Sequence, residues 1–344
     1  MKLIGMKFRK AVAASIPLPV FLILVILLII VYFWKMHPAT QAGQPDPAKT
    51  GDVVVNRPGI RMIRSHDFEL VSPVLFAEIP DESPEFKQLK CQLSLITSEK
   101  KKNGVLNTAD IYIRRLNTGK WMKMGEGREY PAGSLLKVPI LMTWLKMAEK
   151  EPGLLQKRLN FEQPPGQIPD QSFTGKSIVA GKDYTVAELL EYLIVESDNN
   201  ATWLLTRKMD LNIFQKLFTD LGLRKPELSD GNYAIKAHDY SMFMVVLYNA
   251  SFLSPEHSQY ALKLLSKSTF KKGLVRKLPA GVLVAHKFGE QGTGTDSDLS
   301  ESAVVYAGGQ PYLITVMAQG AHVDSLSDYL SDISLEVYRS MAAE

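Results

Sequence analysis

The stretch Pro131-Ala132-Gly133-Ser134-Leu135-Leu136-Lys137-Val138-Pro139-Ile140-Leu141-Met142 reads as a strand's end, a tight glycine turn and a helix that runs into the core. Ser134 and Lys137 stand three residues apart at the head of that helix. One turn therefore puts the hydroxyl and the amine on one face. A serine is a poor nucleophile until a base takes its proton, and a partly desolvated lysine is such a base. The helix N-terminus also offers free N–H groups to an oxyanion formed there. The same Ser-x-x-Lys spacing recurs at Ser98/Lys101 and Ser268/Lys271, so spacing alone does not select Ser134.

Upstream, Asp110-Ile111-Tyr112-Ile113-Arg114-Arg115-Leu116 alternates as a strand, Asn117-Thr118-Gly119-Lys120 makes a hairpin turn, and residues 121–124 return as the partner. A helix is predicted over residues 86–96, with Ser83 as cap, Pro84 at the first position, and Leu89, Leu93 and Ile96 on one face. Residues 100–103 read as a charged turn and residues 68–77 as an extended segment. Downstream, residues 151–182 are polar and rich in Pro and Gly, hence loop or irregular hairpin. Thr185-Val186-Ala187-Glu188 has the form of a capping box and opens a helix over 186–195. Further helices are expected from about residue 201 and over 213–221, 238–247 and 255–265. Strands return at 282–288, 302–307 and 312–318, and a last helix covers 325–341. Strands at both ends must share one antiparallel sheet, which predicts an α+β domain with an inserted helical lobe.

The formal charge of +4 comes from the N-terminus. Without Lys2, Lys7, Arg9, Lys10 and Lys35, 35 basic residues face 36 acidic ones, so the body gives no electrostatic case for nucleic acid. The single cysteine, Cys91, excludes an internal disulfide and a multi-cysteine metal site, and is expected to pack inside a helix. The histidines lack metal-ligand spacing. Residues 11–34 carry no charge and are dominated by Leu, Ile and Val, long enough to cross a bilayer. Basic residues precede them, so the expected arrangement is a cytoplasmic tail (1–10), an uncleaved transmembrane anchor (11–34), a linker and extended segment (35–79) and an exported domain (80–344).

Two more motifs follow Ser134-x-x-Lys137 in order: Ser197-Asp198-Asn199 between helices, and Lys287-Phe288-Gly289 closing a strand. Taken singly they have plain readings, with Ser197 and Asn199 capping a helix, Lys287 a solvated edge charge and Gly289 a turn residue. Together, over about residues 80–344, they resemble the three signatures of class A serine β-lactamases and penicillin-binding proteins. The resemblance implies a β-lactamase/transpeptidase-like fold in which Ser134 takes the acyl group and Lys137 is its base. It brings Lys287 to the same pocket, where like charge depresses an amine's pKa. Ser197 then relays a proton to the departing nitrogen, while Asn199 binds the substrate's side-chain amide. Phe288 and Gly289 lie along the substrate. The backbone N–H groups of Ser134 and Glu290 form the oxyanion hole. Asp198 is expected to brace its turn. The resemblance implies no metal or cofactor. Its partner is a β-lactam or a peptidoglycan peptide, and its location is the outer face of a bacterial cytoplasmic membrane.

Two departures bear on function. Phe288 replaces the family's Thr or Ser, removing a hydroxyl that holds the substrate carboxylate and leaving Lys287, Thr293 or Thr295 to compensate. The family's deacylating Glu has no clear equivalent: Lys225-Pro226-Glu227-Leu228-Ser229 is similar to its Glu-Pro-Glu-Leu-Asn, and Glu227 or Asp230 is the candidate. The expectation is a β-lactamase-type hydrolase that acylates and turns over slowly. The alternatives are a D,D-peptidase and a non-catalytic cell-wall binding protein.

Overall fold

The computed structural model describes residues 60–65, 69–164, 166, 172–173, 175–227, 233–292 and 297–342. Its centre is a five-stranded antiparallel sheet of order β4-β3-β11-β10-β9. The strands are β3 (Leu106–Arg115), β4 (Trp121–Met124), β9 (Leu283–Gln291), β10 (Ser297–Ala307) and β11 (Gln310–Gly320). The two ends of the chain meet where Ile113 of β3 lies opposite Ile314 of β11. Both faces are covered, and strand alternation divides the apolar residues between them. Tyr112, Leu313 and Met317 join the larger core with the middle helices, while Ile111, Ile113, Ile314 and Val316 face the smaller one.

The smaller core is closed by α1 (Lys87–Lys102) and α8 (Val323–Ala342), which present Leu89, Leu93, Leu326, Tyr329 and Ile333 to the sheet. Helix α1 continues through Lys100, Lys101 and Lys102, so the expected charged turn is its last turn, where cations suit the C-terminal dipole. Cys91 is exposed, contrary to expectation, because two residues past Leu89 lies on the far side of a helix. The other face carries α2 (Lys137–Lys150), α3 (Val186–Val195), α4 (Asn199–Thr206), α5 (Leu211–Asp220), α6 (Ala237–Tyr248) and α7 (Pro255–Ser266). The capping box at Thr185 and Glu188 forms as the sequence predicts, with Glu188 N donating to Thr185 Oγ1 at 3.2 Å and Thr185 N donating to Glu188 Oε2 at 2.7 Å.

Three short pairings complete the fold. β5 (Tyr130–Pro131) pairs with β8 (Ala234–Ile235), and β6 (Arg158–Phe161) pairs with β7 (Lys182–Thr185) within the expected loop region. The strand leading into Ser134 is thus outside the main sheet. The third pairing joins β1 (Arg61–Arg64) to β2 (Val74–Glu78), within the residues read as linker and extended segment. Leu75 and Phe76 are core residues. Glu78 is buried, receiving bonds from the Tyr112 hydroxyl and from Arg114 Nη1 at 3.3 Å, with His238 Nε2 at 3.0 Å. The apolar stretch 11–34 lies outside the described residues. Among the described residues no helix is long and apolar enough to cross a membrane.

Candidate active site

Ser134 sits in a 3-10 turn (Gly133–Leu136) that feeds directly into α2. Gly133 has φ +48°, and a Cβ there would stand 3.0 Å from the Glu290 carbonyl oxygen of β9. Gly289 is packed as closely from the strand side: its Cβ would meet Ala132 O at 2.7 Å and Leu135 N at 3.0 Å. Two glycines therefore let the serine turn lie against the edge strand, with the Glu290 backbone beside Gly133. Gly289 is there for this close approach and not for a positive-φ turn.

Lys137 and Lys287 are both buried, at 2% and 0% exposure. The reading of Lys287 as a solvated edge charge therefore fails: β9 is an edge strand, but helices roof the side from which Lys287 projects. The Ser197 hydroxyl lies between the two amines, 3.1 Å from Lys137 Nζ and 2.9 Å from Lys287 Nζ. Lys137 also donates to the Ser197 carbonyl and, at 2.8 Å, to Asn199 Oδ1. The Ser134 hydroxyl is not among its partners. The amine's donors are directed to Ser197 and Asn199, although Ser134 and Lys137 line one cavity.

Burial lowers the Lys137 amine to about 7, against the opposing pull of the Asp198 and Glu290 charges. Lys287 is lowered well below its ordinary range, first by burial and then by the Lys137 charge. The like-charge effect thus falls on Lys287, and desolvation dominates for Lys137. Phe288 contributes to the apolar surroundings: its ring lies 4.1 Å from Lys287 Nζ and stacks on Phe270 at 4.0 Å. Burial raises the Glu290 carboxyl, opposed by the Phe173 N–H, which donates to it at 3.2 Å.

Ser197 holds φ +56°, a left-handed conformation that costs a non-glycine residue about 1–2 kcal/mol. In that conformation its carbonyl and its hydroxyl both reach Lys137. Asp198 braces the turn, as expected. It is the cap of α4, accepting from Asn200 N at 3.0 Å and Ala201 N at 3.3 Å, and it also receives Ser177 Oγ at 2.7 Å and Ile178 N at 2.9 Å. The capping role suggested for Ser197 and Asn199 therefore belongs to Asp198.

The cavity at Ser134 has a volume of about 500 Å³. Asn199 lines it. Phe288 and Gly289 do not, because the ring packs against Phe270 and the glycine against the serine turn. Glu227 is exposed and does not line it either, while Asp230, Thr293 and Thr295 lie outside the described residues. Among the described residues no carboxylate borders this cavity. Thr202, Thr206 and Arg207 do, and sequence reasoning did not single them out. Counting three and seven residues along the helix from Asn199 finds the two threonines. Neither chance match forms a comparable pair: Ser98 and Lys101 are exposed on α1, and Ser268 is buried while Lys271 is exposed.

A serine and two desolvated lysines against the edge of an antiparallel sheet, with helices on both faces, define the class of β-lactamase-like serine hydrolases. Solved structures agree on the fold. PBP-A superposes with a TM-score of 0.65 at 23% identity, covering 77% of this chain and 99% of that one. A β-lactamase from Chitinophaga pinensis gives 0.65 at 17% identity over 75% of this chain and 100% of its own. TLA-1 extended-spectrum β-lactamase gives 0.62 at 18%, over 73% and 99%. No curated protein sequence matches. The chain belongs to the β-lactamase enzyme family, whose model matches residues 93–341.

Proposed function

We propose that this protein is an exported, membrane-tethered hydrolase that β-lactams or related amides acylate at Ser134 and that releases the acyl group slowly. One observation carries the reading: a single hydroxyl, that of Ser197, joins two amines that burial has made reluctant to hold protons. With Lys137 neutral, Lys287 donates to Ser197 Oγ and the Ser197 O–H turns toward the substrate nitrogen, which leaves the Lys137 lone pair for the Ser134 proton. Lys137 then takes the Ser134 proton as Ser134 Oγ bonds to the substrate carbonyl carbon. The carbonyl oxygen takes up negative charge facing the N–H groups of Ser134 and Glu290. As the C–N bond breaks, Ser197 gives its proton to the departing nitrogen and is refilled from Lys137. The acyl group remains on Ser134 as an ester, and no atom is left unbalanced.

Slow release is supported by the absence of a carboxylate among the described residues bordering the cavity. A PBP-A mutant has been solved as an acyl-enzyme complex with penicillin G, on the same fold. Tethering is supported by the uncharged residues 11–34 and the basic residues before them. Intact mass spectrometry after penicillin exposure tests the acylation. The expected result is one stable adduct in the native protein and none in Ser134→Ala. The absence of both an adduct and hydrolysis of a chromogenic cephalosporin would overturn the proposal. A D,D-peptidase acting on peptidoglycan peptides is the second reading, favoured by the same poorly deacylating cavity. Release of terminal D-alanine from a pentapeptide distinguishes it. A non-catalytic role is disfavoured, since two buried lysines are costly to keep without use.

A further inference from the structure

The cavity at Ser134 extends along α4, away from the third motif. Leu136 and Ile140 form its apolar wall, and Thr202, Thr206 and Arg207 line it beyond Asn199. Ser197, Lys287 and Glu290 do not border it. If Ser197 protonates the leaving nitrogen, as proposed above, that nitrogen departs on the third-motif side. The α4 cavity is then left for the acyl half of the substrate.

The α4 side is chemically specific. Thr202 donates its hydroxyl proton to Asp198 O at 2.7 Å, and Thr206 donates to Thr202 O at 2.9 Å. Both threonine oxygens are left as acceptors, suited to an amide N–H. Arg207 at the outer end is held by stacking, its guanidinium 4.9 Å from the Trp203 ring centroid. Trp203 in turn meets Phe161 edge-on at 6.2 Å. Among the described residues no carboxylate pairs with Arg207. It is a cation positioned by aromatic packing, at a cavity that holds the proposed nucleophile and that no carboxylate borders among the described residues. From Asn199 to Arg207 the helix rises about 12 Å.

We infer that this cavity is a recognition site for an acyl donor bearing a carboxylate on its acyl side, with Arg207 as the residue that reads the charge. Methylene groups lie along Leu136 and Ile140, an amide faces the threonine oxygens, and the carboxylate reaches the guanidinium. An acyl chain with its carboxylate about 10 Å from the scissile carbonyl spans the rise along α4. The inference rests on Ser134 being the nucleophile.

The test uses the adipoyl and hexanoyl amides of 6-aminopenicillanic acid, which differ by a terminal carboxylate in place of a methyl. Acylation of the full-length protein is followed by intact mass. The adipoyl probe is expected to react about fivefold faster, the size of a partly solvated charge pair. That ratio should fall to about one in Arg207→Gln, drop below one in Arg207→Glu, be largely retained in Arg207→Lys and shrink with added salt. Because the ratio is taken within each variant, a change in overall rate does not affect it, and a thermal melt checks that each variant folds. An unchanged ratio in Arg207→Gln overturns the inference. If neither probe labels the native protein, the assignment of Ser134 fails. The charge preference is then decided by equilibrium binding of the two probes to Ser134→Ala, where equal affinities overturn it.

Discussion

Acylation of Ser134 should titrate with Lys137, and the profile distinguishes a desolvated amine from an ordinary one. The amine lies at about 7 because α2 buries it. Its neutral fraction is then about one-tenth at pH 6, one-half at pH 7 and nine-tenths at pH 8. The rate of adduct formation with benzylpenicillin at fixed concentration should therefore rise about fivefold from pH 6 to 7, less than twofold from 7 to 8, and then level off. A solvated lysine would instead give about tenfold per pH unit up to about pH 10. Quenched-flow sampling with intact mass detection reads this directly. Lys137→Arg keeps the positive charge without a lone pair in this range, and should lose about 10²–10⁴ in rate at every pH. A rate that keeps climbing through pH 9, or stays flat from 6 to 8, would refute the assignment of Lys137 as base. The same amine affects stability with a defined sign. Its folded value lies below the unfolded 10.5, so between about pH 7 and 10.5 the unfolded chain binds the extra proton. Burial of this lysine thus costs stability at neutral pH, on the order of 5 kcal/mol. That cost is relieved as pH rises through the window, with Lys287 acting in the same sense.

Gly289→Ala forces a Cβ to 2.7 Å from Ala132 O and 3.0 Å from Leu135 N. It should push the serine turn off β9 and cut acylation about 10²-fold while circular dichroism stays native. Asp198→Ala removes the α4 cap together with the Ser177 and Ile178 bonds, and should cost about 2–3 kcal/mol in urea unfolding. Glu78→Ala leaves Arg114 without its carboxylate and should cost about 3–5 kcal/mol. His238, raised above 6.5 by Glu78 and Asp239 against its burial, contributes stability below pH 6.5 that is lost as pH rises through its folded value. His238→Ala should flatten that part of the pH–stability curve.

The elements that were legible in the sequence are those whose signal is local. The capping box at Thr185, the hairpin turn at Asn117–Lys120 and the alternation in β3 each follow from a few adjacent residues, and each has the predicted form. The antiparallel sheet followed from the order of strands and helices alone. The site was legible as three motifs because chemistry fixes residue types at short spacing. The rest depends on which residues meet across long sequence separations. Nothing near Glu78 announces that Tyr112, Arg114 and His238 will surround it. The left-handed Ser197 is equally silent, since it is held in place by Lys137, 60 residues upstream. Arg207 escapes notice because one arginine at a helix end is ordinary until Trp203 and the cavity are seen beside it.

The replacement of the third motif's hydroxyl residue by Phe288 and the raising of two lysines from charged to near-neutral form are one physical change. A hydroxyl after Lys287 would bring a polar partner, and with it water, to the strand end. A phenyl ring stacked between Phe270 and the amine excludes both. Desolvation of Lys287 follows, and an uncharged Lys287 removes the repulsion that would otherwise oppose a second amine on the other side of Ser197. The same substitution gives up a hydrogen-bond donor for a carboxylate on the leaving-group side. The Arg207 guanidinium, without a carboxylate partner among the described residues, lies at the other end of the Ser134 cavity, just past α4. Restoring the hydroxyl by Phe288→Thr should shift the acylation profile toward lower pH, because a rehydrated Lys287 regains its charge and its repulsion lowers the Lys137 amine further. A profile that does not move would show that burial by the helices, and not the ring, sets the lysines' charge.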